Sequence, residues 1–311
     1  MPQSETAAQP GPDIDRRQLL AGALGGAGLL LLNPRLAGAS SEATTGALLD
    51  LRAAPDLLRA HMKMRFSLDN TLNMGWLRGK RFAFSEGRVL PLCGMQAATF
   101  SRLHRVSEQE CEYVMLEVSF YTDFETGEPV DSLIMPFSGE RVSVPVHRFG
   151  PQRVRFAVRL DETEEFVPRA GTSQAEFAAA GSVSMTKSID VDAVRGGNLI
   201  LRHEEYGRRY PGDSDIPSMF YRETTLWSAP EQAVLDPAVS TVDAEVAYSA
   251  MTSWRPWMKM GDIPGHTFSN GFGRRARSIA ELPGEYRAFV DRVHPDVLAD
   301  PEALLEAGSE E

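Results

Sequence analysis

From about Gly75 onward, turn signals recur at short intervals: Glu86-Gly87, Ser107 to Glu110, Glu125-Thr126-Gly127-Glu128, Ser138-Gly139 and Gly150-Pro151. Between them lie short segments rich in Val, Phe, Tyr and Leu, the pattern of antiparallel strands joined by hairpins. Strand-like segments resume at residues 182–191, 198–206, 219–227 and 242–252, with Gly196-Gly197 as the turn between the first two. Helices do not alternate with these segments, which disfavours a parallel βαβ architecture. The chain is therefore expected to be mainly β: an antiparallel barrel or strongly curved sandwich of about nine to ten strands, with helices at its ends.

Three stretches depart from the strand pattern. Residues 46–60 carry Leu48, Leu49, Leu51, Leu57 and Leu58 at helical spacing, with Pro55 as an interruption. Residues 161–181 turn acidic and then alanine-rich, and read as a break formed by a loop with one helix. Residues 254–273 read as loop, residues 285–293 as helix, and Gly308-Ser309-Glu310-Glu311 as an acidic tail.

The N-terminus reads as an address. Asp15-Arg16-Arg17-Gln18-Leu19-Leu20 opens a glycine-rich apolar run at 21–32, and Ala37-Gly38-Ala39 follows as a small-x-small cleavage site. The paired arginines Arg16 and Arg17 suggest the twin-arginine (Tat) export machinery as a partner. The simpler alternative is a Sec signal that carries two arginines. Against it stand the fifteen residues before Arg16, four glycines and three alanines in the apolar run, and Arg35 beside the cleavage site. Residues 19–32 fall short of the roughly 18–20 apolar residues that span a bilayer, so no stable membrane association is expected after cleavage. The expectation is a periplasmic or secreted protein, cut near Ala39, with residues 40–311 as a single β-rich domain.

Charge narrows the partners. The net charge is −11, and residues 1–39 hold three acids and three arginines, so cleavage leaves it unchanged. Nucleic acid and anionic lipid require a basic surface and are not expected as partners. Cys93 and Cys111 are the only cysteines, and two buried free thiols are a simpler account than a bridge. If 103–106 and 111–114 form a hairpin, Cys111 lies opposite about residue 104.

Candidate chemistry sits on strand faces. In 112–123, Val114, Leu116, Val118 and Phe120 form one apolar face, and Tyr113, Met115, Glu117, Ser119, Tyr121 and Asp123 form the other. Residues 153–160 alternate likewise, with Val154, Phe156, Val158 and Leu160 against Arg153, Arg155 and Arg159. The plain reading puts the mixed faces in water. The functional reading turns them into a lumen, where Glu117, the tyrosines and an arginine such as Arg155 meet a mostly apolar ligand with an oxygen function or a carboxylate. His203 and Glu205 share a predicted face, and a histidine beside a carboxylate suits acid–base work near neutral pH, although a solvated strand end is the favoured account of the cluster.

Trp254, Trp257, Met258 and Met260 crowd one short stretch and must cap a core or line a pocket mouth. Lys259, one of only four lysines, is either an activated amine or a snorkelling side chain packed on Trp257. Trp76 and His266 complete the candidate ligand-binding set, with Tyr113, Arg155, Trp254 and Trp257; the candidate catalytic set is His203, Glu117, Tyr121 and Lys259. The six histidines lie at least 28 residues apart, and no H-x-H, H-E-x-x-H, C-x-x-C, G-x-S-x-G or Walker loop is present. No metal and no cofactor is expected.

Several blocks together resemble the DUF1838 family of exported bacterial proteins. They are Gly75-Trp76-Leu77-x-Gly79-Lys80, Pro91-Leu92-x-Gly94-Met95, Tyr121-Thr122-Asp123-x-x-Thr126-Gly127-Glu128, Ser138-Gly139-Glu140-x-Val142, Phe149-Gly150-Pro151, and Trp254-x-Pro256-Trp257-Met258-x-Met260-Gly261-x-x-x-Gly265-His266. The resemblance runs from about Met62 to Asp300, and Ile134-Met135-Pro136 departs from the Trp-Asn-Pro type expected there. It implies one exported domain and transfers no catalytic residue. Three functions remain open: a carrier of a small, largely apolar molecule in a barrel cavity; a cofactor-independent lyase, isomerase or hydrolase; and a structural or assembly protein. The enzyme requires a buried ionisable group in a cleft. The assembly protein requires an exposed apolar patch and no deep cavity.

Overall fold

Ten strands form one antiparallel sheet that curls into a nearly closed barrel. The structure, a computed structural model, describes residues 47–166, 181–211 and 218–309. The leader with Arg16, Arg17 and the Ala39 site, the alanine-rich segment, the Gly212-Asp213 turn and the last two glutamates lie outside those residues.

In chain order, α1 (Ala54–Arg65) precedes β1 (Asn73–Ser85), β2 (Arg88–Val106), β3 (Glu110–Thr122), β4 (Ser132–Ile134), β5 (Arg141–Ser143), β6 (His147–Ala157) and β7 (Arg159–Phe166). There follow β8 (Gly181–Arg195), β9 (Asn198–Pro211), β10 (Met219–Pro230), α2 (Glu231–Leu235), β11 (Glu245–Ser253) and β12 (His266–Ala276). The chain closes with α3 (Gly284–Val293), α4 (Pro295–Ala299) and α5 (Pro301–Ser309). The sheet order is β6-β3-β2-β1-β12-β11-β10-β9-β8-β7, and β4 and β5 make a separate two-stranded ribbon. The two edge strands are consecutive in the chain, and at the corner between them the Ile189 amide donates to the Val158 carbonyl at 3.0 Å.

Alternation assigns the faces. Tyr113, Met115, Glu117, Ser119 and Tyr121 of β3 face inward, opposite Leu103, Ser101, Thr99, Ala97 and Met95 of β2. The apolar face of β3 points outward but does not meet water. Val114, Leu116, Val118 and Phe120 are covered by Tyr286, Phe289, Val290, Val297 and Leu305 of the C-terminal helices. The Tyr286 hydroxyl donates to the Val118 carbonyl at 2.9 Å, so its polar end is satisfied where its ring is buried. Each such apolar side chain contributes about 1.5–3 kcal/mol by leaving water. Both faces of β3 are therefore buried, and the plain reading that puts the mixed face in water is overturned.

The two barrel ends are closed differently. At one end α1 enters the barrel: Leu57, Leu58, Met62, Met64 and the following Phe66 pack against Tyr113, Phe156, Ile189 and Leu201. Buried Lys63 ties this plug to α2 by donating to the carbonyls of Val234 and Asp236, at 2.7 and 2.5 Å. At the other end Trp257, Met258 and Met260 pack with Leu92, Tyr121, Met135 and Val142. The Trp/Met stretch thus caps a core.

Several local expectations change. Pro55 begins the helix instead of interrupting it, because proline's missing N–H costs nothing in the first turn. The stretch 153–160 is two strands bent at Val158, although its alternation holds through the corner. Residues 161–166 are strand, not break. Residues 266–273 are strand, not loop. Their glycines mark close contact: a Cβ on Gly271 would sit 2.5 Å from the Arg78 carbonyl oxygen, and one on Gly79 would sit 2.2 Å from that of Asn270. Cys111 pairs with Val106, not residue 104: the ladder from Leu103–Tyr113 would put it opposite Arg105, and a bulge between Leu103 and Arg105 moves it one residue further. Both thiols are free and buried, and burial pushes each up to about 12.

Candidate functional site

Beside the plug the barrel leaves a pocket of about 130 Å³ that is partly open to solvent. Met64, Arg65 and Phe66 form its plug side, and Leu77, Ala97, Thr99, Met115 and Glu117 line the wall from β1 to β3. Glu223, Thr225, Trp227, Val246, Tyr248 and Arg275 line the opposite wall. Gly75 of β1 lines the pocket, and Tyr248 lies opposite Gly271 in the register. A larger groove, about 430 Å³ and about as open to solvent as the lumen pocket, runs along Arg78, Lys80, Phe124 and the exposed Phe272 on the outside of the barrel.

Charge is concentrated inside. Glu117, Glu205 and Glu223 enter from three strands, and Arg65 enters from the plug. Arg65 Nη1 lies 2.9 Å from His203 Nδ1 and 4.0 Å from Glu205 Oε1. Its guanidinium also sits over the Phe156 ring, 4.6 Å from the centroid. His203 Nε2 is 3.5 Å from Glu205 Oε1, and the Tyr248 hydroxyl donates to Glu223 Oε2 at 3.3 Å. Glu117 and Glu223 retain some accessible surface while protein surrounds them, so that surface faces the cavity.

Burial sets the protonation states. It pushes Glu223 up to about 7, with the charges of Glu205 and Glu117 adding to the shift and Arg65 opposing it. Burial likewise raises Glu117, against a hydrogen bond from Ser119 and the charge of Arg65. His203 is held well below its ordinary value by burial and then by Arg65 and Lys187. His61 stacks at a tilt on His203, ring centroids 5.1 Å apart, and is depressed for the same reasons, with His203 and Arg65 as the nearby charges. Both histidines are therefore neutral in the fold near pH 7.

The candidate residues separate into groups. Glu117 lines the cavity, and His203 stands behind its wall, bonded to Arg65. Trp76 borders the cavity but packs into the helix-covered outer cluster. Tyr113 is fully buried against the plug, stacked on Phe66 and donating to the Ser67 carbonyl at 2.5 Å. Tyr121 belongs to the far end, where its hydroxyl meets Arg81 Nη1 at 2.9 Å and His147 Nε2 at 3.2 Å. Trp257 packs on Tyr121, and the Trp254 indole donates to the Ile263 carbonyl.

Three candidates lie away from the lumen. Arg155 pairs with Glu110 at 2.7 Å and Glu162 at 3.5 Å at the barrel corner, because its face of β6 points outward. Lys259 is 62% exposed and lies 3.4 Å from Glu140. His266 stacks on Phe84 on the outer surface. The lumen arginine is Arg65, whose position lies beyond the expected end of the first helix.

Glu223, Tyr248 and Trp227 were not singled out by sequence reasoning. Their signal was present: Tyr221, Glu223, Thr225 and Trp227 alternate along β10 as the mixed face of β3 does. Among the described residues no group of three or more His, Cys, Asp or Glu side chains is arranged to hold a metal ion. No helix among them is long and apolar enough to cross a membrane.

A curled, nearly closed antiparallel barrel of ten strands defines the class. The profile of the family described as protein of unknown function (DUF1838) matches residues 74–310, and the chain belongs to that family. No curated protein and no solved structure matches.

Proposed function

We propose that this chain binds a small, largely apolar molecule in the barrel lumen, with one polar end at the Glu117–Glu223–Tyr248 side. The observation that carries the reading is the lumen pocket, partly open to solvent, walled by methionine and tryptophan and bordered by carboxyls that burial has raised. Its volume is comparable to the engineered cavity of about 150 Å³ that binds benzene, so the ligand is ring-sized. Native mass spectrometry of the protein purified from a bacterial host tests this. A reproducible added mass that leaves on denaturation supports carriage, and a bare polypeptide mass across several preparations contradicts tight carriage.

Glu223, poised near neutrality beside the cavity, is the specific observation for a second reading, a cofactor-independent acid–base enzyme. In that case Glu223→Gln abolishes turnover while the ligand is still bound; equal turnover in the variant ends the reading. Export through Arg16 and Arg17 belongs to the same proposal, with the work done outside the cytoplasm. Fractionation of cells expressing wild type and a double Arg16→Lys, Arg17→Lys variant tests it. Retention of the variant in the cytoplasm is expected, and unchanged export contradicts the Tat route.

A further inference from the structure

We infer that the ligand's polar end is a cationic nitrogen: the lumen seats a small alkyl- or cycloalkylammonium ion, its charge between Glu223, Glu117 and Glu205 and its hydrocarbon body against Met64, Met115 and Trp227. The inference rests on the cavity reading above and gives it a chemical class.

The argument is a balance of charge at a place with little water. Three glutamates reach the lumen from β3, β9 and β10, and Arg65 is the cation that acts on both Glu117 and Glu223. Other basic groups nearby have partners of their own, although Lys187 stands opposite Glu205 in the β8–β9 register and buried Arg209 lies on the Glu205 face of β9. Arg275 donates to the Phe66 carbonyl at 2.5 Å, and Lys187 lies 3.6 Å from Glu162. His203 and His61 are neutral. Arg81 and Arg255 act on Tyr248 from the far side, and Arg81 is hydrogen-bonded to Ser269 and Tyr121.

Buried like charges of this kind take up a proton unless a cation arrives. The raised Glu223 and Glu117 are that response. A bound ammonium does the proton's work: its N–H groups donate to carboxylate oxygens, and Trp227 offers an aromatic face in the same wall. A carboxylate ligand would add a further negative charge to the cluster and is disfavoured. Binding of the cation near pH 7 must then release protons, because it returns Glu223 to its ionised form.

The test uses the full chain and three probes of one shape: cyclopentylamine, cyclopentanol and cyclopentanecarboxylate. Dissociation constants come from ligand-observed NMR at about pH 7.5 and low salt, and proton release comes from calorimetry in two buffers of different ionisation enthalpy. The amine is expected to bind at least about tenfold tighter than the alcohol, the carboxylate weakest, with protons released on amine binding. Glu223→Gln, checked for folding by circular dichroism, should remove most of the amine's advantage over the alcohol. If the alcohol or the carboxylate binds as tightly as the amine, the cationic assignment falls while the cavity reading stands. If the amine's advantage survives in Glu223→Gln, it binds elsewhere and the assignment also falls. If none of the three binds, the cavity reading itself is overturned.

Discussion

The two ends of the barrel bury the same kinds of residue and use them for different ends. Near the plug, Arg65 meets His203 and Glu205 over the Phe156 ring; at the far end, Arg81 meets Tyr121, which meets His147, with Trp257 beside them. The far end spends its arginine on hydroxyl groups and fills the remaining space with Met258, Met260 and Leu92. The plug end sets its arginine against glutamates and stops short of filling the lumen. Closure requires dense packing, whereas a binding site keeps space and an unbalanced field. The first description fits the far end and the second fits the plug end.

The largest effect that would break this contrast is removal of Arg65. Arg65→Met leaves Glu117, Glu205 and Glu223 without their shared cation, and breaking a buried charge arrangement costs about 3–5 kcal/mol. Urea denaturation should show that loss at pH 8 and a smaller one at pH 5, where Glu223 is protonated. Equal loss at both would mean that Arg65 acts only by packing.

Methionine truncations sharpen the contrast at the next level. Met258 and Met64 are both fully buried, but only Met64 borders the cavity. Met258→Ala creates new empty volume in a filled region and should cost about 2–5 kcal/mol. Met64→Ala enlarges space that already exists; the expectation is a cost toward the low end of that range and a shift in ligand size preference. Denaturation curves and the cyclopentyl probes read both, and the reverse ranking would place the binding space at the wrong end.

Acidity provides the third effect, and its sign differs between the groups. His61 and His203 are depressed in the fold, so below about pH 6.5 the unfolded chain binds their protons first. Each contributes stability that is present above that value and is lost as the pH falls, by up to about 1.4 kcal/mol per unit. Glu223 runs the other way: raised to about 7, it contributes stability at low pH that is lost as the pH rises toward neutrality. A double His61→Phe, His203→Gln variant should therefore lose the acid-side slope, and Glu223→Gln should lose the slope on the neutral side. A Glu223→Gln profile parallel to wild type would remove the charge imbalance from the account. The smallest effect belongs to Lys259: its exposed pair with Glu140 predicts that Lys259→Ala changes stability by less than about 1 kcal/mol and leaves probe binding unchanged.

The sequence was most informative where period-two alternation and turn chemistry act locally. The faces of β3, the shared face of His203 and Glu205, and the hairpins at Glu86-Gly87 and Ser138-Gly139 were legible from spacing alone. It misled where a tertiary contact reverses a local signal. Gly271 and Gly273 look like loop but let β12 lie against β1, and Pro55 looks like a breaker but starts a helix. The site was half legible: Glu117 and His203 stood out, whereas Arg65 depends on a helix that runs five residues past Ala60, and Glu223 and Tyr248 depend on pairings from β9 to β12. Which mixed face turns inward is decided by the outer helices, since they claim the apolar face of β3 and leave the polar one to the lumen.

The most direct test is a crystal structure of the full chain grown with cyclopentylamine. The account predicts density for the ring between Met64, Met115 and Trp227, with the nitrogen within hydrogen-bonding distance of Glu223. A lumen filled by side chains, or the amine seated only in the outer groove beside Phe272, would contradict it.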